Sequence, residues 1–120
     1  MGEDILKSVW NFDDAEYKLI FLFKSEVASC LMLWDLMGAY WSLRRLRSEI
    51  DAKVSDKERM DINKDVDNLD KEKNTYEENI NDKKKQANFY ISLDNFYRNL
   101  CQVLKHHGSF FREQEDEEGL

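Results

Sequence analysis

The chain has 120 residues, no proline and only four glycines, at positions 2, 38, 108 and 119. Proline and glycine are the residues that interrupt helices most strongly. Between residues 3 and 107, Gly38 is therefore the one strong breaker, and in a helix interior it costs about 1 kcal/mol relative to alanine. This scarcity of breakers predicts an all-α protein with long helices.

Residues that bind metals or act as nucleophiles are also scarce. The chain contains two cysteines and two histidines, and neither a Cys-x-x-Cys nor a Glu-x-x-His pair occurs. Those spacings are typical of zinc and di-iron sites. The chain also has no glycine-rich loop that could surround a phosphate. We therefore expect no metal, no cofactor, no catalytic residues and no enzymatic activity.

A long uncharged apolar run is missing as well. The most apolar stretch, residues 19–43, is cut by Lys24, Glu26 and Asp35. The longest uncharged piece that remains is much shorter than the roughly 20 residues that a membrane-spanning helix needs. The start of the chain does not resemble a secretory signal, and thiols inside cells are normally reduced. The sequence predicts a cytoplasmic protein that has no contact with a membrane.

The charge is acidic and unevenly placed. The formal net charge is −7, and residues 113–118 alone carry five acidic side chains. An acidic body repels phosphate backbones, so we expect no direct binding to nucleic acid.

Two capping boxes divide the chain. Asp13 is followed three residues later by Glu16, and Ser55 is followed in the same way by Glu58, a pattern typical of helix starts. We therefore predict one domain with four parts: a lead over residues 1–12, helix 1 over 13–54, helix 2 over 56–107 and an acidic tail over 108–120. The short turn at Ser55 makes the two helices antiparallel.

The predicted helix 2 has a regular apolar series with an average spacing near 3.5 residues, which favours a coiled-coil-like helical hairpin. Its members are Ile62, Val66, Leu69, Tyr76, Ile80, Ala87, Tyr90, Leu93, Tyr97, Leu100 and Leu104. The alternative is a three-helix bundle with a break near residues 79–85, because helix 2 is rich in asparagine, which has modest helix propensity.

In the hairpin, Leu46 lies opposite Val66 and Ile50 opposite Ile62. The same register separates Cys30 from Cys101 by about 28 Å at 1.5 Å per residue. Disulfides need Cα atoms within about 7 Å of each other. We therefore expect both thiols to be free.

Helix 1 is apolar over most of its circumference, whereas the part of helix 2 opposite its centre, residues 70–85, is polar. A helix that is apolar nearly all round is usually buried. We therefore predict that two hairpins form a symmetric four-helix homodimer. The predicted interface residues are Leu31, Trp34, Met37, Tyr40 and Trp41.

Three functional hypotheses follow. The leading one is a non-enzymatic protein–protein interaction or assembly factor that binds itself and another protein; its composition also fits a phage or viral accessory protein. The second is a small acidic inhibitor of the anti-defence type that mimics nucleic acid. The third is a helical nuclease, because Tyr97-Arg98-Asn99-Leu100 followed by His106 is loosely similar to the HEPN ribonucleases. Seven residues separate Arg98 from His106, whereas that family has four to six.

Overall fold

A computed structural model of the protein describes residues 13–107. The lead predicted over residues 1–12 and the tail over 108–120 lie outside this range. The described residues form four helices: α1 Asp14–Met32, α2 Leu36–Asp51, α3 Asp56–Glu78 and α4 Lys83–His107. Helix α1 packs on α2 and α3 packs on α4, while α2 also contacts α4. This bundle confirms the all-α class.

Both predicted capping boxes are present. The Asp13 carboxylate accepts a hydrogen bond from the Glu16 backbone at 2.8 Å, and the Glu16 side chain accepts one from the Asp13 backbone at 3.2 Å. In the second box the Ser55 hydroxyl accepts a hydrogen bond from the Glu58 backbone at 3.2 Å, and the Glu58 side chain accepts one from the Ser55 backbone at 2.9 Å. Each box satisfies backbone donors that would otherwise have no partner at a helix start. Helices α1 and α3 therefore begin where the sequence indicates.

The predicted register holds on both sides of the Ser55 turn. The Arg47 guanidinium donates to the Asn63 side chain, and the Tyr40 hydroxyl donates to Asp70. Each pair lies within one helical turn of the predicted alignment. The side chains of α2 and α3 therefore meet in the predicted antiparallel register.

The prediction of one unbroken helix over 13–54 is wrong, because the chain reverses at residues 33–35. The Asp35 backbone donates to the Cys30 carbonyl at 2.8 Å, and that of Trp34 donates to Leu31 at 3.2 Å. These are the two bonds of a Schellman motif, which ends a helix on a left-handed residue. That residue is Trp34, with φ of 57°, where glycine is usual.

Asp35 ends this turn and starts the next helix. Its carboxylate accepts a hydrogen bond from the Gly38 backbone at 3.1 Å and so caps α2. A Cβ atom at Gly38 would lie only 2.4 Å from the Asp35 carboxylate. The glycine that the sequence analysis treated as a weak point of a long helix therefore makes room for a helix cap.

The second predicted helix, over 56–107, is also wrong as a continuous element. The break lies at residues 79–82, in the region that the alternative indicated. Asn79 ends α3, and the Asp82 carboxylate accepts backbone hydrogen bonds from Lys84 and Lys85 at 3.0 and 3.3 Å. Ile80, which the apolar series placed inside, is 62% exposed in this turn.

All four helices contribute to one core. Residues of the same chain therefore cover one face of α1. Two of the largest fully buried side chains, Phe89 and Phe96, are absent from the predicted series of helix 2. The fully buried large residues are Ile20, Val27, Leu43, Leu46, Ile50, Leu69, Phe89, Leu93, Phe96, Leu100 and Leu104. Across residues 13–107, no helix is long and apolar enough to span a membrane.

Candidate functional site

The five residues of the predicted interface fall into two groups. Leu31 and Tyr40 are 6% and 4% exposed because their own chain covers them, so they offer little area to a partner. Met37 is partly buried against the same core. Trp34 and Trp41 are 51% and 52% exposed. Two indoles are therefore about half exposed in the folded chain, as expected, but the exposed surface is smaller than the predicted interface.

Trp41 lies on a groove between α1 and α2. Leu22, on the α1 side, is also about half exposed. Between them the surface is shallow because the facing residues are small. The groove has a volume of about 480 Å³, and its lining is Leu22, Ser25, Glu26, Ser29, Cys30, Gly38, Trp41, Ser42 and Arg45.

Leu22 was not among the residues predicted to lie on the exposed surface. Leu22, Ser25 and Ser29 recur every three or four residues on α1, the spacing of one helix face. The buried residues Ile20 and Val27 define the opposite face. The spacing alone did not identify this face as the exposed one, because α1 carries apolar residues on both faces.

One pair of polar groups spans the groove. The Ser42 hydroxyl, which is buried, donates to Glu26 on the facing helix at 3.2 Å. Arg45 is exposed at one edge. Since Ser42 and Glu26 already have partners, covering these two groups would leave neither unsatisfied.

Cys30 lies on the groove wall and is not activated for chemistry. Its thiol is 3.9 Å from the Asp35 carboxylate. Burial raises the pKa of Cys30, and the negative charges of Asp35 and Glu26 raise it further. A raised pKa keeps the thiol protonated at neutral pH, whereas a nucleophilic cysteine needs the thiolate. Neither Cys30 nor Cys101 forms a disulfide, and Cys101, on α4, is buried.

A polar cluster holds Trp41 from the α3 side. The Tyr40 hydroxyl donates to Asp70 at 2.6 Å, and Arg44 donates to both oxygens of that carboxylate at 3.1 and 3.2 Å. The Tyr40 ring meets the Trp41 indole edge-on at 5.1 Å. The Lys73 ammonium lies 5.2 and 5.9 Å from the centres of these two rings.

These contacts have two consequences. Burial, the hydrogen bond to Asp70 and the charge of Asp70 raise the pKa of Tyr40 to about 12, so the hydroxyl stays neutral and donating. Trp41, although half exposed, is fixed in orientation by Tyr40 and Lys73. A preorganised aromatic side chain loses little conformational entropy on binding, which favours its use as an anchor at an interface.

The three arginines of α2 have separate roles. Arg44 pairs with Asp70 on α3, and Arg47 pairs with Asp51 at 3.4 Å within α2. Arg45 points into the groove region instead. The three therefore do not form a single cationic patch.

A second exposed apolar surface lies at the α1–α2 turn. Met32 and Leu33 are 80% and 78% exposed. The Trp34 indole stacks on the Tyr90 ring of α4, with centroids 4.2 Å apart and planes inclined by 21°. This stack fixes the turn against α4.

The described residues contain no candidate metal cluster, and of the nuclease-like pair only the first residue has a described side chain. No group of three or more His, Cys, Asp or Glu side chains that could hold a metal occurs among residues 13–107 whose side chains are described. Arg98, the first residue of the HEPN-like pair, donates to Asp94 one turn earlier on α4 at 3.0 Å. The side chain of His106 lies outside the described set.

Comparison of the chain with protein-family models, curated proteins and solved structures finds no match. The candidate site therefore has to be interpreted from its own geometry.

Proposed function

We propose that this is a non-enzymatic protein–protein interaction or assembly factor that forms a homodimer and acts in the cytoplasm. Its contact surface is the α1–α2 face, which we define as Leu22, Trp41 and the groove between them, with Met32 at one end. The observation that carries this proposal is that Leu22 and Trp41 are both half exposed across one groove. The absence of a disulfide between Cys30 and Cys101 fits a cytoplasmic location.

The apolar area is large enough for a weak dimer. Burying the exposed parts of these three side chains in each of two copies contributes on the order of 10 kcal/mol at about 25 cal/mol per Å². Association costs several kcal/mol in lost translational and rotational freedom. The apolar contribution is the larger of the two, which supports a weak dimer.

The shape of the groove also suits a second copy. The small side chains of Ser25 and Ser29 on α1 allow a helix to approach the groove closely. A two-fold axis would place the same face of the partner against it, which makes the contact self-complementary. The Trp41 side chain would then be an anchor on both sides.

Sedimentation equilibrium at tens of micromolar tests the proposal. Leu22→Glu puts a charge at the centre of the face, and we expect it to shift the wild-type dimer to monomer. Met60→Glu is the matched control, because Met60 is 64% exposed on α3, away from this face, and it should remain dimeric. A wild-type chain that stays monomeric would overturn the proposal.

Ionic strength separates this function from nucleic-acid mimicry. An apolar contact changes little between low and high salt, whereas binding by an acidic mimic weakens steeply. The wild-type dimer should therefore persist at high salt.

A further inference from the structure

The second exposed surface combines apolar and basic side chains at one end of the bundle. Leu33 and Ile91 are 78% and 55% exposed, and the residues next to them in sequence, Trp34 and Tyr90, stack on each other. Holding Trp34 in the left-handed region costs about 1 to 2 kcal/mol. The protein thus keeps a large, half-exposed aromatic residue at a position where glycine would fold more easily.

Two lysines extend this surface along α4. Lys83 precedes Tyr90 by seven residues, and Lys84 precedes Ile91 by seven. Seven residues are about two helical turns, so the two members of each pair lie on the same helix face, about 10 Å apart. Both lysines are exposed, and neither forms an ion pair within residues 13–107. We name Leu33, Trp34, Ile91, Lys83 and Lys84 the apolar–basic end.

The chain itself contains a segment of complementary chemistry. Residues 110–118 read Phe-Phe-Arg-Glu-Gln-Glu-Asp-Glu-Glu, two aromatic residues followed by five acids within six positions. From Phe111 to Glu115 an extended chain spans at most about 14 Å. This is enough to place a phenylalanine on the apolar part while acids reach the lysines.

The tail of the same molecule is too short to make this contact. Tyr90 lies 17 positions before His107 on α4, which is about 25 Å along the helix. Phe110 and Phe111 are three and four positions beyond His107, and a fully extended chain carries them at most about 14 Å. An intramolecular tail therefore cannot bring its phenylalanines to Trp34.

We propose that residues 110–118 of a second copy dock on the apolar–basic end, in a dimer whose two bundles run antiparallel. In that arrangement the tail of the partner begins near this end and continues in the direction from Trp34 toward Lys83. The phenylalanines then meet Leu33, Trp34 and Ile91, and the acids meet the lysines. This inference rests on the proposed homodimer and specifies which segment of the partner is exchanged.

Zero-length cross-linking with a carbodiimide tests the inference on the full-length protein. The reagent joins a carboxylate to a lysine amine that it contacts. A dimer mixed from ¹⁴N- and ¹⁵N-labelled chains shows by mass spectrometry whether the two linked peptides come from one molecule or two. We expect mixed-label links between residues 113–118 and Lys83 or Lys84.

Variants supply the matched control. Each exposed ion pair contributes little, so Lys83→Gln with Lys84→Gln should weaken docking about fivefold and lower the yield of tail cross-links to Lys85 accordingly. Lys71→Gln, an exposed lysine on α3, should leave the yield unchanged. Phe110→Ser with Phe111→Ser should lower the Lys83 links while all lysines remain.

The outcomes separate the two proposals. Tail exchange would be overturned, and the homodimer retained, by either of two results in a protein that sediments as a dimer. The first is tail cross-links that join only peptides carrying the same label, and the second is an absence of tail cross-links. A protein that is monomeric, without mixed-label links, would overturn both.

Discussion

The carboxylate of Asp35 occupies the space that a side chain at Gly38 would need. A Cβ atom there would lie 2.4 Å from Oδ2, while the Gly38 backbone donates to Oδ1 at 3.1 Å. In this geometry the cap and a side chain at position 38 compete for the same space.

A double-mutant cycle tests this coupling. Gly38→Ala gains about 1 kcal/mol of helix propensity but displaces a cap worth about the same, so we expect little net change in the free energy of unfolding. In the Asp35→Ala background the same substitution should stabilise by about 1 kcal/mol. Chemical denaturation of the four proteins measures the coupling, and additive effects would contradict it.

Trp34 provides a test of the first helix break. Trp34→Gly and Trp34→Ala both lose the stack on Tyr90, but only glycine relieves the left-handed backbone, so the glycine variant should be more stable by about 1 kcal/mol. A continuous helix would give the opposite order by a similar amount. The control is Ala28→Gly on the exposed face of α1, which should destabilise by about 1 kcal/mol.

Tyr40 makes the stability of the bundle sensitive to alkaline pH. Its pKa is raised to about 12 in the folded chain, against an ordinary value near 10. A raised folded-state pKa contributes stability that is fully present below the ordinary pKa and is lost as the pH rises through the folded one. The wild type should therefore lose this contribution between pH 10 and about 12.

Tyr40→Phe should remove that part of the pH dependence. At neutral pH the variant should be about 1 to 2 kcal/mol less stable, because the hydrogen bond to Asp70 is missing. Denaturation over the alkaline range measures the difference between the two proteins, which should shrink as the pH rises. Tyr76→Phe, at a partly buried tyrosine of the same core, is the control, and a constant gap would contradict the assignment.

The rate at which the Cys30 thiol is modified measures how accessible the groove is. Because burial and Asp35 raise its pKa, a disulfide reagent at mildly alkaline pH should modify Cys30 several-fold more slowly than a free thiol. In a Cys101→Ala background the signal comes from Cys30 alone. The rate should fall further as protein concentration rises if the α1–α2 face is the dimer contact, and a rate independent of concentration would argue against that face.

Much of the fold follows from local sequence signals. The capping boxes at Asp13 and Ser55 mark true helix starts, and the α2–α3 register follows from the turn between them. Both signals depend on side-chain-to-backbone bonds over three residues, which a sequence shows directly. The interior of α3 likewise follows from the spacing of Ile62, Val66 and Leu69.

The two breaks could not be derived in the same way. The turn at Trp34 lacks the glycine that normally marks a Schellman motif, and its stability depends on Tyr90, which is distant in sequence. Asp35 was the available clue, since an acid isolated in an apolar stretch can be a cap. At residues 79–82 the apolar phase continues across the turn by coincidence, so Asp82 was not identified as a helix start.

The exposure of the predicted interface residues could not be derived from the sequence for the same reason. Once α1 folds back on α2, Leu31 and Tyr40 turn inward and Leu22 takes their place on the outside. A helix with two apolar faces does not indicate which face the chain itself will cover. Only the tertiary fold decides that, and here it leaves Trp34 and Trp41 half exposed.

The reversal at residues 33–35 also bears on how fast the chain folds. It divides the molecule into two hairpins whose contacts are mostly local in sequence, and domains with local contacts fold in microseconds to milliseconds. Each hairpin can close before the other, after which Tyr40 meets Asp70 and Trp34 meets Tyr90. An unbroken pair of long helices would have had to align over its whole length in one step.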